Sequence, residues 1–253
     1  MQILRLLFEG KLLHPLLING TDRVSSNSQG FLLNSGQVCI AASRLFVQSG
    51  IADSFIETLK AHFQGAQGIM GDPSEPSTML GPLADNAQLK RVLGFIETGK
   101  TEAKLLVGGE RKGDKGAFVT PTIFLNPGKD STIYREEIFG PVLTVLTFET
   151  EEEGIRLAND TSYGLSGWFL PICSSFSSTL TCLVACVYTS NIARALRVSS
   201  KIKAGTIGVN GAYLPDNNLP FGGYKQSGTG RELGKEGLMA YLQAKAIKIY
   251  VGP

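Results

Sequence analysis

Charge is scarce in this chain. Asp, Glu, Lys and Arg make up 18% of 253 residues, below the ~25% of an ordinary soluble domain. The signs also balance: 24 basic against 22 acidic side chains leave a net charge of +2. Such a surface has no strong field for gathering nucleic acid or settling on an anionic bilayer, so neither is expected as a partner. Histidine is scarcer still, with only His14 and His62. No Ser–His–Asp arrangement is legible, and no metal site is expected. Four cysteines are too few for a disulfide scaffold of this length. Cys39 stands alone, while Cys173, Cys182 and Cys186 crowd together at a spacing that fits no zinc pattern. Long apolar runs are missing too. Met1–Ile18 is interrupted by Arg5, Glu9, Lys11, His14 and Pro15, and the uncharged stretch Phe169–Cys186 contains Pro171 and several Ser and Thr. Neither reads as a signal core or a membrane span. Asn19-Gly20-Thr21 and Asn159-Asp160-Thr161 match the glycosylation tripeptide. Without a secretory signal they read as chance matches.

What is abundant is glycine and apolar surface. Thirty glycines and 43% hydrophobic residues exclude disorder and coiled coil, and fit a buried sheet with tight loops. The length suffices for a sizeable core. Ile51, Phe55, Leu59 and Phe63 recur every fourth residue, which predicts a helix over 51–64. Leu89, Val92, Leu93 and Ile96 predict a second over 86–98, with Gly99 as its C-cap. Thr150 and Glu153 form a capping box that opens a helix to Asn159, and Ser190–Ser200 predicts another. Lys104–Val107, Thr122–Leu125, Val142–Phe148 and Thr206–Asn210 read as strands. Ala246–Val251 alternates like a terminal strand in need of a partner. Strands that alternate with helices predict an α/β fold with an open, twisted, mostly parallel sheet and flanking helices.

Two glycine motifs fail on context. Gly94-Phe-Ile-Glu-Thr-Gly99-Lys100-Thr101 fits the phosphate-loop pattern, but its first half lies in a helical stretch and an apolar run follows it. A phosphate loop needs a strand before and a helix after. Gly228-Thr-Gly230-Arg-Glu-Leu-Gly234 has one residue too many for a dinucleotide fingerprint, and reads as a loop entering a helix. His62, beside Phe63, reads as a partly buried structural histidine. Cys39 differs from these. It follows Asn34-Ser-Gly-Gln-Val, small and polar residues suited to an accessible loop thiol. A single cysteine is also commonly an inert core residue, so its chemistry alone leaves both readings open.

Motif order adds a resemblance. Asn34-Ser-Gly-Gln-Val-Cys39, Gly71-Asp-Pro73, Glu136-Glu-Ile-Phe-Gly-Pro-Val142, Tyr163-Gly-Leu-Ser-Gly167 and Pro220-Phe-Gly-Gly-Tyr-Lys-Gln-Ser-Gly228 occur in sequence. Together they strongly resemble the aldehyde dehydrogenase superfamily, over its C-terminal half. The resemblance implies an NAD- or NADP-dependent oxidation of an aldehyde to a carboxylic acid. It implies Cys39 as nucleophile, Glu137 on the nicotinamide ribose, Phe139 against the nicotinamide end, and Leu33 and Phe221 near the aldehyde pocket. Phe8-Glu9-Gly10-Lys11 echoes the family's Glu-Leu-Gly-Gly-Lys at a shorter spacing, which makes Glu9 the candidate general base. The implied organisation is an N-terminal segment over 1–29, a catalytic domain over 30–240 and an oligomerisation strand over 241–253. The family's homo-oligomeric state and a cytoplasmic location, with a mitochondrial form left open, are expected with it. The dinucleotide-binding domain lies upstream in the family, so this chain is expected to be the catalytic half and inactive alone. A non-catalytic fragment or pseudoenzyme is the alternative. Residues 169–186 interrupt the family pattern, since Trp168 would otherwise run straight into Val187. An insertion within a strand should break a ladder, so an unspliced in-frame intron is expected rather than a family-specific loop.

Overall fold

The computed structural model describes residues 31–165, 168–169, 185–189, 191–209 and 216–252. Glu9, the rest of the 1–29 segment and 170–184 lie outside the described residues. The chain begins with a turn over Leu33–Gly36, then β1 (Arg44–Gln48), α1 (Ser49–Ala66), α2 (Asn86–Glu102), β2 (Lys104–Val107) and β3 (Thr122–Leu125). It continues through α3 (Thr132–Arg135), β4 (Val142–Phe148), α4 (Glu151–Asn159), β5 (Tyr163–Gly164), β6 (Trp168–Phe169) and β7 (Ala185–Val187). α5 (Ile192–Lys201), β8 (Ile207–Val209), β9 (Tyr224–Lys225) and α6 (Gly234–Met239) follow.

The main sheet has the order β1-β4-β3-β2. β4 pairs in parallel with both β1 and β3, and β2 closes the edge antiparallel to β3. β4 is buried almost throughout because it lies in the middle of the sheet with helices on both faces. Alternation sorts its side chains. Leu143 and Val145 face α1 together with Leu45, Val47 and Ile123. Val142 and Phe124 face α2, while Leu146, Phe148 and Phe46 pack with Ala158 of α4 and Val198 of α5. The period-two alternation of a strand thus feeds a helical layer on each face.

Two expectations shift on the structure. Gly99 is not a C-cap: α2 continues to Glu102, and Gly99 is buried inside it. A Cβ there would sit 2.7 Å from the Phe124 ring, so the glycine serves close packing of helix on sheet. This also removes the phosphate-loop reading. Gly94–Thr101 lies within α2, and Lys100 pairs with Glu97 one turn away at 2.7 Å. The Thr150 capping box forms in altered shape. Thr150 accepts from the Glu153 N–H at 3.2 Å, but the Glu153 carboxylate takes the Glu149 N–H. The flanks of the 169–186 segment are neighbouring strands. β6 and β7 lie side by side in parallel, Trp168 opposite Cys186 and Phe169 opposite Val187, and β7 continues the ladder to β8.

Asn159 of the second glycosylation tripeptide is spent internally. Its amide donates to the Lys201 carbonyl at 2.9 Å and accepts from the Lys203 N–H at 2.7 Å. His62 is half-buried in α1, as its neighbour Phe63 predicts. Ala246–Val251 forms no ladder with any described residue. Ile247, Ile249, Tyr250 and Val251 are at least three-quarters exposed, from 76% to 92%.

Candidate active site

A cleft of about 290 Å³ opens between the loop before β1 and the loop between α3 and β4. Its walls bring together Cys39, Glu137 and Phe139. Leu33 and Phe221 are not among its lining residues. Leu33 is exposed, and Phe221 is half-buried in a backbone bridge to Glu232, with bonds of 2.7 and 2.8 Å.

The Cys39 wall is built by an unusual turn. Asn34, Ser35 and Gly36 have φ of 51°, 53° and 73°, three successive left-handed residues. Only glycine takes that region freely, so Asn34 and Ser35 are held there by other contacts. The Ser35 hydroxyl donates to the Gly81 carbonyl at 2.6 Å. Gln37 spans two segments: its amide nitrogen donates to the Asn34 carbonyl, and its amide oxygen accepts from the Ala84 N–H at 2.8 Å. Gly36 lies directly on the opposite wall, where an added Cβ would be 2.2 Å from the Gly140 carbonyl oxygen. The turn delivers Cys39 to the surface as an exposed free thiol. Its backbone N–H makes no hydrogen bond to another described residue.

The second wall, Glu136–Gly140, is seated on α2. Arg91 donates to the Glu137 carbonyl at 2.5 Å and to the Ile138 carbonyl at 2.6 Å. Gln88 donates to the Phe139 carbonyl at 2.7 Å. Phe139 itself has φ +58° and is 37% exposed. The Glu137 side chain is exposed and accepts no hydrogen bond from a described residue. A carboxylate held at a cleft mouth with both oxygens open is suited to accept hydroxyl hydrogens.

Beneath the cleft lies a cationic knot that sequence reasoning missed. Arg135 grips Asp160 through two bonds of 2.8 and 3.3 Å. Arg44 donates to the Asp160 carbonyl at 3.2 Å and lies over the Tyr134 ring, 5.2 Å from its centroid. Lys225 donates to the Asn159 and Thr161 carbonyls at 2.9 and 3.0 Å. The Arg135 hydrogen bond holds the Asp160 carboxyl below the usual carboxylate range. Burial lowers Arg44 and raises Tyr134 from their ordinary values. Burial, with Arg44 and Lys203 nearby, also lowers the Lys225 ammonium. Gln88 and Arg91 escaped notice because they occupy the polar face of an amphipathic helix, where a charge ordinarily faces solvent. Arg135 carried one signal, since it directly precedes Glu136 and Glu137.

Among the described residues no cluster of His, Cys, Asp or Glu could hold a metal ion. No described helix is long and apolar enough to cross a membrane.

An aldehyde dehydrogenase family profile matches residues 19–170 and 175–247, most of the chain and both walls of the cleft. The chain belongs to the aldehyde dehydrogenase family. An aldehyde dehydrogenase of Alternaria alternata is 42% identical over 224 residues, covering 88% of this chain and 41% of the relative. A betaine aldehyde dehydrogenase of Cereibacter sphaeroides is 40% identical over 225 residues, covering 88% of this chain and 42% of the relative. Among solved structures, an NAD-dependent aldehyde dehydrogenase from Sinorhizobium meliloti superposes with a TM-score of 0.80 at 36% identity, over 93% of this chain and 43% of its own. An NAD+ complex of an aldehyde dehydrogenase from Bacillus cereus gives 0.80 at 38% identity, over 93% and 44%. The chain therefore spans about two fifths of the length of the aldehyde dehydrogenase relatives it matches. The resemblance carried by the five ordered motifs is borne out at the level of family and fold.

Proposed function

We propose that this chain carries the catalytic site of an NAD(P)-dependent aldehyde dehydrogenase, with Cys39 as the nucleophile. The observation that carries the reading is the shared cleft, which the exposed Cys39 lines together with Glu137 and Phe139. The Cys39 thiolate attacks the aldehyde carbon. A carbon–sulfur bond forms, and the carbonyl oxygen becomes an oxyanion. The N–H of Cys39, bonded to no described residue, supports that charge from the backbone. Loss of a hydride from this thiohemiacetal to a bound nicotinamide would leave a thioester on Cys39. Water then cleaves the thioester to release the carboxylic acid and return the thiol. The nicotinamide, when bound, supplies the hydride acceptor. The described residues fit that end of the dinucleotide: the Glu137 carboxylate has both oxygens available for the ribose hydroxyls, and Phe139 offers an exposed aromatic face.

Glu9 is the candidate base for the hydrolytic water, and Leu33 and Phe221 are candidates for the outer aldehyde pocket. The exposed apolar segment Ala246–Val251 suits pairing with a second copy of the chain, since an unpaired alternating strand is a template for another. The test is aldehyde-dependent NADH or NADPH formation by a full-length version of the protein. Cys39→Ala is expected to abolish it. Unchanged formation in that variant would overturn the reading.

A further inference from the structure

We infer that Lys112 is a positioning residue for Cys39: from the loop between β2 and β3 it fastens the segment 67–84, on which the Cys39 turn is seated. It is a remote role and rests on the nucleophilic function proposed for Cys39. Lys112 stands where a backbone bridge joins Arg111 to Val119. Its ammonium donates to the Gln67 carbonyl and, at 3.4 Å, to the Met70 carbonyl. Both carbonyls lie just past the end of α1, where intrahelical donors run out. The last turn of α1 carries no basic residue of its own. Lys112 supplies that cation from a distant part of the chain, at the negative end of the helix dipole.

From that attachment a continuous path of hydrogen bonds leads to the cleft. Beyond Met70 the chain loops out and returns, and Met70 bridges Leu80 in parallel. The Gly71 N–H donates to the Leu80 carbonyl at 3.2 Å, and the Met79 and Leu80 N–H groups donate to the Ile69 carbonyl at 2.9 and 3.1 Å. The returning stretch then holds the Cys39 turn. The Gly81 carbonyl accepts from the Ser35 hydroxyl at 2.6 Å, and the Pro82 carbonyl accepts from the Gln37 amide nitrogen at 3.5 Å. The Ala84 N–H donates to the Gln37 amide oxygen at 2.8 Å. Asn34 and Ser35, both at positive φ, depend on that seat to keep their conformation. The β2–β3 loop grips the segment a second time, where the Ala117 carbonyl accepts from the Leu83 N–H at 2.8 Å. Leu80 is buried and anchors the middle. Releasing Lys112 therefore loosens the segment without detaching it, and Gly81 to Ala84 shift beneath the turn.

Two readouts test this in the 253-residue chain, and neither needs turnover. The first is amide hydrogen exchange followed by mass spectrometry, with α4 as the internal reference. Lys112→Met is expected to speed exchange about tenfold over both 67–84 and 34–41, the scale of a lost hydrogen bond from a charged donor. The reference should change by less than about twofold, as for an ordinary surface substitution. The second readout is alkylation of Cys39 by iodoacetamide, followed on its own peptide. Lys112→Met should slow it about threefold, at the low end of coupling carried through bonded side chains, because the turn no longer holds the thiol at the surface. A chain that is merely less stable is alkylated faster. Lys112→Arg keeps a charged donor and should stay close to the parent in both readouts. Ser35→Ala cuts the last link, so in that background Lys112→Met should have no further effect on the Cys39 rate. Faster exchange confined to 67–71 would show a plain helix cap and overturn the proposal. So would faster exchange in α4 as well, an unchanged or faster Cys39 rate, or an undiminished effect in the Ser35→Ala background. A full-length enzyme that stays active as Cys39→Ala speaks against the nucleophilic role instead, and the exchange and alkylation ratios still decide the tether.

Discussion

Gly36 is the residue on which the two walls of the cleft meet. Its φ of +73° and its contact with the Gly140 carbonyl leave no room for a methyl group. Gly36→Ala combines left-handed strain of about 1–3 kcal/mol with a backbone clash that only a shift of one wall relieves. We expect it to lower the melting temperature by several degrees, roughly 2–4 °C per kcal/mol for a chain this size. Slower Cys39 alkylation should accompany that fall, and an unchanged melting temperature in calorimetry would contradict the contact. Cys39 differs in kind, because its thiol is exposed and packs no core. Cys39→Ala is therefore expected to leave the melting temperature within about a degree of the parent, as at exposed sites generally. The residue proposed to carry the chemistry is thus separable from the residue that holds its frame.

At the scale of elements, α2 does more than its sequence announces. Its apolar stripe of Leu89, Val92 and Ile96 predicts a helix packed on a sheet, and the structure agrees. Its end was misread because glycine near the close of a periodic run resembles a cap. Gly99 instead admits the Phe124 ring. Gly99→Ala is expected to cost about 1–3 kcal/mol through overpacking, measured by urea denaturation, although alanine is the better helix former. A stabilised variant would contradict the packing. The strands of the main sheet were legible because their runs are short, apolar and bounded by turns. The pairing order was not, since it depends on contacts between segments roughly a hundred residues apart, such as β1 with β4. The site was legible in part for the same reason. Cys39 and Glu137 stand in long ordered motifs. Arg44, Arg91 and Asp160 act through backbone carbonyls or rings that only the fold brings near, and no local pattern marks them.

At the scale of the whole molecule, the Arg135–Asp160 pair ties the end of α3 to the end of α4 beneath the cleft. Asp160 has a lowered folded-state pKa, so its pairing stabilises the protein above the unfolded carboxylate value near ~4. That contribution is lost as pH falls through the lower folded value. The pair is about one-third exposed, at 36% and 35%, so solvent screening keeps the effect modest. Asp160→Asn should be less stable than the parent near neutral pH, and the gap should close in acid denaturation as pH drops below that of a free carboxylate. A gap that widens in acid would reverse the assignment. Assembly is the other property at this scale. Deleting 241–253 is expected to lower the mass seen by light scattering if Ala246–Val251 pairs with a second copy, and an unchanged mass would rule that pairing out. Above all of these stands covalent capture on Cys39. A full-length version of the protein is incubated with an aldehyde and NAD+, quenched in acid, and its peptides are weighed. The account predicts that the Cys39 peptide gains the mass of the aldehyde less two hydrogens, the thioester left after hydride departure. NADH formed while every quenched Cys39 peptide remains unmodified, or formed equally by Cys39→Ala, would contradict it.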